Sequence, residues 1–168
     1  MYYTKIFLLY SILGFIMEST LYKVKTINKH SGIFYGPITA VYGIGIISIE
    51  LLNKYFFKKI KYNQIFKLII EFIILTITLS IIECLGGNIL NYLFDIDMWN
   101  YSNIKPNFGK YVCLQNSIIW GILGVSYIHI FKPFTDKIIK QITNKETYFF
   151  LILFIIDTII TLITKISI

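Results

Sequence analysis

Five apolar segments, each about as long as a bilayer is thick, constrain the fold of this chain more than any other feature. They cover about residues 3–22, 33–52, 66–93, 112–131 and 148–166. About 20 apolar residues in a helix span the ~30 Å hydrocarbon core, and a helix satisfies its own backbone there. The sequence therefore predicts one all-α, polytopic membrane helix bundle of about five transmembrane helices, forming a single integral membrane domain.

The charged residues agree with a membrane setting. Only 15% of the 168 residues are charged, against about 25% in soluble domains. The 16 basic residues are all lysines, in short clusters between the apolar segments, which is typical of headgroup anchoring rather than of a nucleic-acid surface. One side of the bundle collects ten lysines, and the other, on which the stretch 98–114 lies, collects six: Lys23, Lys25, Lys29, Lys105, Lys110 and Lys165. This predicts a cytoplasmic N-terminus in the cell membrane, with the lipid bilayer and not nucleic acid as a partner.

A polar stretch separates the third and fourth segments. Met98–Leu114, "MWNYSNIKPNFGKYVCL", has the length and residue types of an exterior cap between helices 3 and 4. Trp99 and Tyr101 are expected to anchor it at the interface. Lys110 is expected either to hold an anionic group or to pair with Glu18 or Glu83.

Two carboxylates beneath this cap are candidates for chemistry. Glu18 and Glu83 lie toward the cap side of their segments, each four residues from a glycine, and an acidic group at a helix centre costs about 2.5–3.5 kcal/mol on insertion scales. They could bind a cation, relay a proton or act as acid and base. Alternatively, they only bond the cap's backbone and lysines.

Three further acidic residues lie within apolar segments. Glu50 and Glu71 stand close to lysine-rich segment ends and are expected to reach headgroups or Lys54 and Lys67. Asp157 falls near the middle of the fifth segment, where it has either a functional role or a hydrogen bond to a Ser, Thr or Tyr of a neighbouring helix.

The second segment contains Gly36, Pro37, Gly43 and Gly45. These residues permit either close helix packing or a broken, partly re-entrant path. The expected helix-packing residues are Gly14, Gly36, Pro37, Tyr42, Gly43, Gly87, Gly121 and Gly124. The candidate substrate- or ion-binding residues share a position at or beneath the cap: Glu18, Glu83, Asn91, Trp99, Tyr101, Ser102, Asn107 and Lys110.

No motif assigns a catalytic residue, a metal site or a cofactor. The two cysteines and two histidines have no metal-ligand spacing. The sequence contains no Gly-x4-Gly-Lys-Ser/Thr phosphate loop, so ATP hydrolysis, if used, is expected from another chain.

Several blocks of the sequence resemble one known family. "YSILGFIMES", "SGIFYGPITAVYGIG", a helix with Glu83, and "WNYSNIKPNFGKYVCLQNSIIWGILG" are similar to the ABC-transporter permease family of the CmpB type (type IV). Asn100 stands where that family usually has Asp, and its Asn-x-x-Gly appears here as Asn107-Phe108-Gly109. The family pattern marks Glu18, Gly32, Gly36, Pro37, Tyr42, Gly43, Glu83, Trp99, Tyr101, Ser102, Asn107, Gly109, Cys113 and Leu114.

The resemblance implies a small permease-like subunit whose cytoplasmic segments, around 54–67 and 132–145, contact an ATPase subunit. Two alternatives stay open at this point. One is a membrane-embedded enzyme acting on a lipid or lipid-linked substrate, with Glu18 and Glu83 as acid and base and Lys110 holding an anionic group. The other is a non-catalytic membrane sensor or scaffold. The sequence also leaves open a homo-oligomer and the identity of the substrate.

Overall fold

The structure, a computed structural model, describes residues 1–25 and 32–166 and is helical through most of that length. A 3-10 turn, Phe57–Lys59, follows the second helix, and a π-helical turn, Tyr127–Phe131, joins the fourth to the fifth. The α-helices within these ranges are α1 (Tyr2–Lys25), α2 (Ala40–Tyr55), α3 (Gln64–Phe94), α4 (Leu114–Ser126), α5 (Lys132–Gln141) and α6 (Asn144–Lys165).

The prediction of an all-α membrane bundle is confirmed. Within the described ranges, four helical stretches are long and apolar enough to cross a membrane: Ala40–Lys59, Gln64–Phe94, Leu114–Gln141 and Asn144–Lys165. They correspond to the second to fifth predicted spans. The first predicted span forms α1, which packs along α2, and its crossing of the membrane stays a prediction.

Helix α3 shows how the sequence divides inside from outside. Its buried side chains recur every four residues from Glu71 through Leu75, Leu79 and Glu83, and positions four apart share one helix face. On another face, isoleucines and leucines from Ile65 to Ile89 are exposed at the same spacing, as expected for contact with lipid. At 1.5 Å per residue its 31 residues measure roughly 46 Å, longer than the ~30 Å hydrocarbon core.

The second predicted segment begins later than expected. Helix α2 starts at Ala40 rather than near residue 33, and residues 32–39 are not helical. Pro37 has no N–H and disfavours the helical conformation at Gly36, while Gly32 has a φ of +85°, which favours glycine. This irregular backbone needs partners from within the protein at membrane depth. One of them is Ser11, whose carbonyl accepts the Thr39 N–H at 2.9 Å.

Glycines bring neighbouring helices into close contact. A Cβ added at Gly14 would collide with the Tyr42 ring, and one added at Gly121 would collide with Phe72 and Thr76. Small residues at such positions allow close helix packing in membranes. Gly43 meets α1 and Gly124 meets Leu75 of α3 in the same way. These contacts hold α1 on α2 and α4 on α3.

The bundle has two chemically different ends. The lysine-rich end comprises the start of α1, the chain from Asn53 to Glu71, the π-turn and α5. The cap end comprises residues 95–113, which we call the cap, with the adjoining ends of α1, α2, α3, α4 and α6. Lys29, one of the lysines assigned from the sequence to the cap side, lies outside the described residues.

Candidate functional site

The cap is a folded unit held by its own hydrogen bonds. The Tyr101 N–H donates to the Lys110 carbonyl at 2.7 Å, and the Phe108 N–H donates to the Val112 carbonyl at 2.9 Å. The Asn107 amide donates to the carbonyls of Tyr101 and Ser102, both at 2.9 Å. Asn107 thus satisfies backbone oxygens that a plain loop would leave to water.

Asn100 performs a role that Asp could also perform. Its side-chain oxygen accepts the Ser102 N–H at 2.9 Å, a local turn that Asn and Asp form equally. The departure from the family's Asp therefore preserves this hydrogen bond. Ser102 itself is exposed and contributes through its backbone.

Two aromatic side chains seat the cap on α3. The Tyr111 ring lies on Gly87, where an added Cβ would approach the ring to 2.5 Å. The Trp99 ring lies 3.7 Å from the position that a Cβ added to Gly86 would occupy. The rings of Trp99 and Tyr111 meet edge to face, with their centroids 6.4 Å apart, a favoured aromatic arrangement.

Asp97 organises the polar rim of the cap. Its carboxylate is 2.6 Å from the Lys110 ammonium and accepts from the Tyr111 hydroxyl at 2.7 Å and the Asn91 amide at 3.1 Å. The hydrogen bonds from Lys110 and Tyr111 hold the pKa of Asp97 below its usual range. Asp97 in turn raises the pKa of Lys110. Lys110 therefore pairs with a residue that the sequence analysis did not consider, because a lone Asp in a polar loop carries no distinctive signal.

Glu83 is buried directly beneath the cap. It is 5% exposed, and one carboxylate oxygen accepts from the Tyr101 hydroxyl at 2.9 Å. The other oxygen is buried without a hydrogen bond, and the Trp120 indole N–H approaches the carboxylate without completing one. No cation among the described side chains forms an ion pair with Glu83. Burial and the Glu83 charge raise the pKa of Tyr101.

Glu18 reaches the same region through a different tyrosine. The Tyr42 hydroxyl donates to Glu18 at 3.0 Å, and the Tyr42 ring meets the Trp120 ring at a centroid distance of 5.5 Å. The two carboxylates therefore accept from separate tyrosines, Glu18 from Tyr42 and Glu83 from Tyr101.

A cleft of about 690 Å³ lies below the cap. Its walls come from α1, residues 32–41, α3, the cap and α6, and most of them are apolar. Glu18, Asp97 and Trp99 line it, together with three threonines, whereas Glu83 does not. The two candidate carboxylates therefore do not face one cavity together.

Asp157 supports the irregular segment before α2. Its carboxylate accepts the backbone N–H of Tyr35 at 3.0 Å and that of Gly36 at 2.8 Å. Lys165, also on α6, donates to the Ile33 carbonyl at 2.6 Å. The Thr161 hydroxyl of the same helix also donates to Asp157, at 3.2 Å. Asp157 thus has a hydrogen-bonding role, but its partners across the bundle are backbone amides where the sequence analysis expected a hydroxyl of a neighbouring helix.

The lysine-rich end contains a network that sequence reasoning missed. Glu50 is 5% exposed, and its carboxylate contacts the Lys132 ammonium at 2.5 and 2.8 Å and the Tyr127 hydroxyl at 2.5 Å. Tyr2 joins this group to Asp136, to which its hydroxyl donates at 2.6 Å. Glu50 therefore pairs with a lysine 82 residues away instead of headgroups or Lys54.

Glu71 forms a second buried pair at the same end. It is fully buried and lies 2.7 Å from the His129 ring nitrogen and 3.9 Å from Lys67. The contact with Lys67 follows from their four-residue spacing. The contact with His129 joins α3 to the π-turn, and no local pattern in the sequence could have indicated it.

Comparison with known protein families gives a match over most of the chain. A family model described as "Putative ABC-transporter type IV" matches residues 5–164, which is nearly the whole chain. Comparison with curated proteins and with solved structures finds no match.

Proposed function

The chain belongs to the ABC-transporter type IV family of the CmpB type, and from this premise we propose that it is a small permease-like subunit whose ATP hydrolysis is supplied by a partner chain. The observation that carries the proposal is the cleft below the cap, because it would give the substrate a place within the membrane domain. Transporter sites commonly lie among interrupted helices, and the irregular backbone of residues 32–39 lines this one.

The lysine-rich end offers a surface for the ATPase. Helix α5 buries Ile139 and exposes Lys137 and Lys140, so it lies against the bundle with these two lysines outward. Lys58 and Lys59 are exposed at the same end. Basic segments of this kind are typical of the cytoplasmic side, where ATP is available.

Co-purification tests this function. The tagged full-length chain is extracted from native membranes in mild detergent, and the co-eluting proteins are identified by mass spectrometry. We expect a phosphate-loop ATPase in near-stoichiometric amount. The variant Lys137→Glu with Lys140→Glu is expected to lose it, because two positive charges of the docking surface become negative.

A matched variant separates docking from general damage. Lys105→Glu changes an exposed lysine of the cap, at the opposite end, and is expected to retain the ATPase. Absence of any ATPase even after cross-linking in the intact membrane would overturn the proposal and favour a sensor or scaffold.

A further inference from the structure

The walls of the cleft below the cap belong to both the interior and the lipid-facing surface. Leu85 and Ile89 line the cleft and are 56% and 54% exposed. They continue the exposed stripe of α3, which runs along Ile73, Ile77 and Ile81. On the other side, Leu162 of α6 also lines the cleft and is exposed. Within the described ranges, 1–25 and 32–166, the cleft therefore opens sideways, between α3 and α6, toward the hydrocarbon core.

The packing of α6 is consistent with such an opening. Helix α6 packs mainly on α1 and is joined to the chain before α2 by the Asp157 and Lys165 hydrogen bonds. Its wall of the cleft includes Thr158 and Thr161. A molecule entering between α6 and α3 would exchange contact with lipid chains for contact with an apolar wall, which requires no dehydration of a polar group.

A hydrogen-bond donor stands unused at the cap end of the cleft. The indole nitrogen of Trp99 is buried and has no hydrogen-bond partner, although Trp99 lines the cleft. A buried indole N–H usually finds an acceptor. Beyond it lies the polar rim formed by Asp97 and Lys110.

We propose that this cleft binds an acyl amphiphile drawn from the bilayer, with its chain along the apolar walls and its ester or amide carbonyl accepting from the Trp99 indole. The volume of the cleft lies within the range of small-molecule sites, about 300–1,000 Å³. The assignment rests on the proposed function, since it names the class of substrate that the permease-like subunit takes. It adds sideways entry from the membrane and a specific carbonyl contact.

Quenching of Trp99 fluorescence tests this site. The chain has two tryptophans, so Trp120→Phe leaves Trp99 as the sole reporter, and its thermal unfolding is compared with that of the unmodified chain. The full-length variant, in nanodiscs of saturated phosphatidylcholine without ATPase or nucleotide, is titrated with methyl 9,10-dibromostearate. We expect saturable quenching that unbrominated methyl stearate reverses.

A filling variant locates the binding. A side chain at Gly86 would point into the cleft with its Cβ no closer than 3.7 Å to any neighbour. Gly86→Leu in the single-tryptophan background should therefore fold and weaken the binding about tenfold. This corresponds to about 1.4 kcal/mol of binding free energy. The matched control is Ile81→Phe, which adds bulk to the lipid-facing stripe outside the cleft and should leave binding within about twofold.

Two results of the quenching experiment would contradict the proposed site. Quenching that rises linearly with the bromolipid fraction and ignores the unbrominated competitor would mean that Trp99 simply faces bulk lipid, and it would overturn the site. Equal binding of a brominated alkane without an ester would overturn the carbonyl contact. Because no ATPase is present, loss of this binding leaves the co-purification result untouched, and the two proposals fail separately.

Discussion

The two ends of the bundle satisfy their buried carboxylates in different ways. At the lysine-rich end, Glu50 and Glu71 contact a lysine and a histidine. At the cap end, Glu83 receives a tyrosine hydroxyl and Asp157 receives two backbone amides. One end uses basic side chains and the other uses neutral dipoles.

This difference indicates what each end can tolerate. A buried ion pair fixes two elements together, because removing either partner leaves the other charge unpaired. A carboxylate held by neutral donors leaves no charge behind when it is changed. At the lysine-rich end a buried ion pair thus joins two elements, whereas at the cap end the buried Trp99 indole N–H is unused beside a cleft. The cap end is the one suited to a ligand.

The largest effect is expected from Lys132→Met. It leaves Glu50 buried and unpaired, and breaking a buried pair in this way costs about 3–5 kcal/mol. The free energy of unfolding, measured by titration with denaturing detergent, should fall by that amount. Lys137→Met, on the same helix but exposed, is the control. A loss of similar size in the control would remove the contrast between the two ends.

Tyr101→Phe should have an intermediate effect. It removes the hydroxyl that donates to Glu83, and a buried acceptor left unsatisfied costs about 1–3 kcal/mol. Because Tyr101 belongs to the cap, cleavage by trypsin after Lys110, which precedes Tyr111 in the cap, should also become faster. Phe108→Leu changes an exposed cap residue and should alter neither measurement. An unchanged cleavage rate for Tyr101→Phe would show that this bond does not hold the cap.

Glu83→Gln should have a smaller effect than Tyr101→Phe, below about 1 kcal/mol. The amide oxygen of Gln still accepts from the Tyr101 hydroxyl, so the variant replaces a hydrogen bond to a charged acceptor by one to a neutral acceptor. The contributions of these two kinds of hydrogen bond to stability differ by about 1 kcal/mol. Glu50→Gln, by contrast, should be more destabilising, because it leaves the half-buried Lys132 ammonium with only the more distant Asp136 carboxylate, 3.6 Å away. Comparing the two variants in one denaturation series is the most direct test. Equal losses would mean that Glu83 also compensates a cation.

The smallest effect concerns pH at the cap rim. Lys110 and Tyr111 lower the pKa of Asp97. The contribution of Asp97 to folding stability is therefore present above the ordinary Asp pKa of about 3.9, and it is lost as pH falls through the lowered pKa. Asp97 raises the pKa of Lys110. The contribution of Lys110 to folding stability is therefore present below the ordinary Lys pKa of about 10.4, and it is lost as pH rises through the raised pKa. The Lys110 and Asp97 side chains are 39% and 32% exposed, and screening by solvent keeps the effect small.

Trp99 emission in the Trp120→Phe background reports this pH effect. We expect constant emission between these limits and a shift at each extreme. Asp97→Asn should remove both shifts, since it removes the ion pair itself. Persistence of the shifts in Asp97→Asn would assign them to another group.

Much of the fold could be predicted because membrane burial imposes strong local patterns. The four-residue rhythm of α3, the amphipathic α5 and the cap all follow from neighbouring residues. The break before α2 was one of two alternatives, since Gly36 and Pro37 signal an interruption without indicating what would support it. Asp157, the residue that supports it, is more than 120 residues away in the sequence.

The candidate site was only partly predictable for the same reason. That Glu83 lies beneath the cap follows from their nearness in the sequence. The Glu50–Lys132 and Glu71–His129 pairs join residues 82 and 58 positions apart, and no local pattern distinguishes them from carboxylates at a headgroup. Lys110 had several acidic partners within reach, and only the folded cap selects Asp97.

The contact between Asp157 and residues 35–36 also fixes an order of events during synthesis. The segment before α2 emerges from the ribosome early, and the helix that carries Asp157 emerges after all the others that the structure describes. Until α6 enters the membrane, the amides of Tyr35 and Gly36 lack the acceptor that they have in the finished protein. The segment before α2 is thus completed only by α6, and a ribosome stalled before Asp157 would hold a bundle in which this segment is not yet supported.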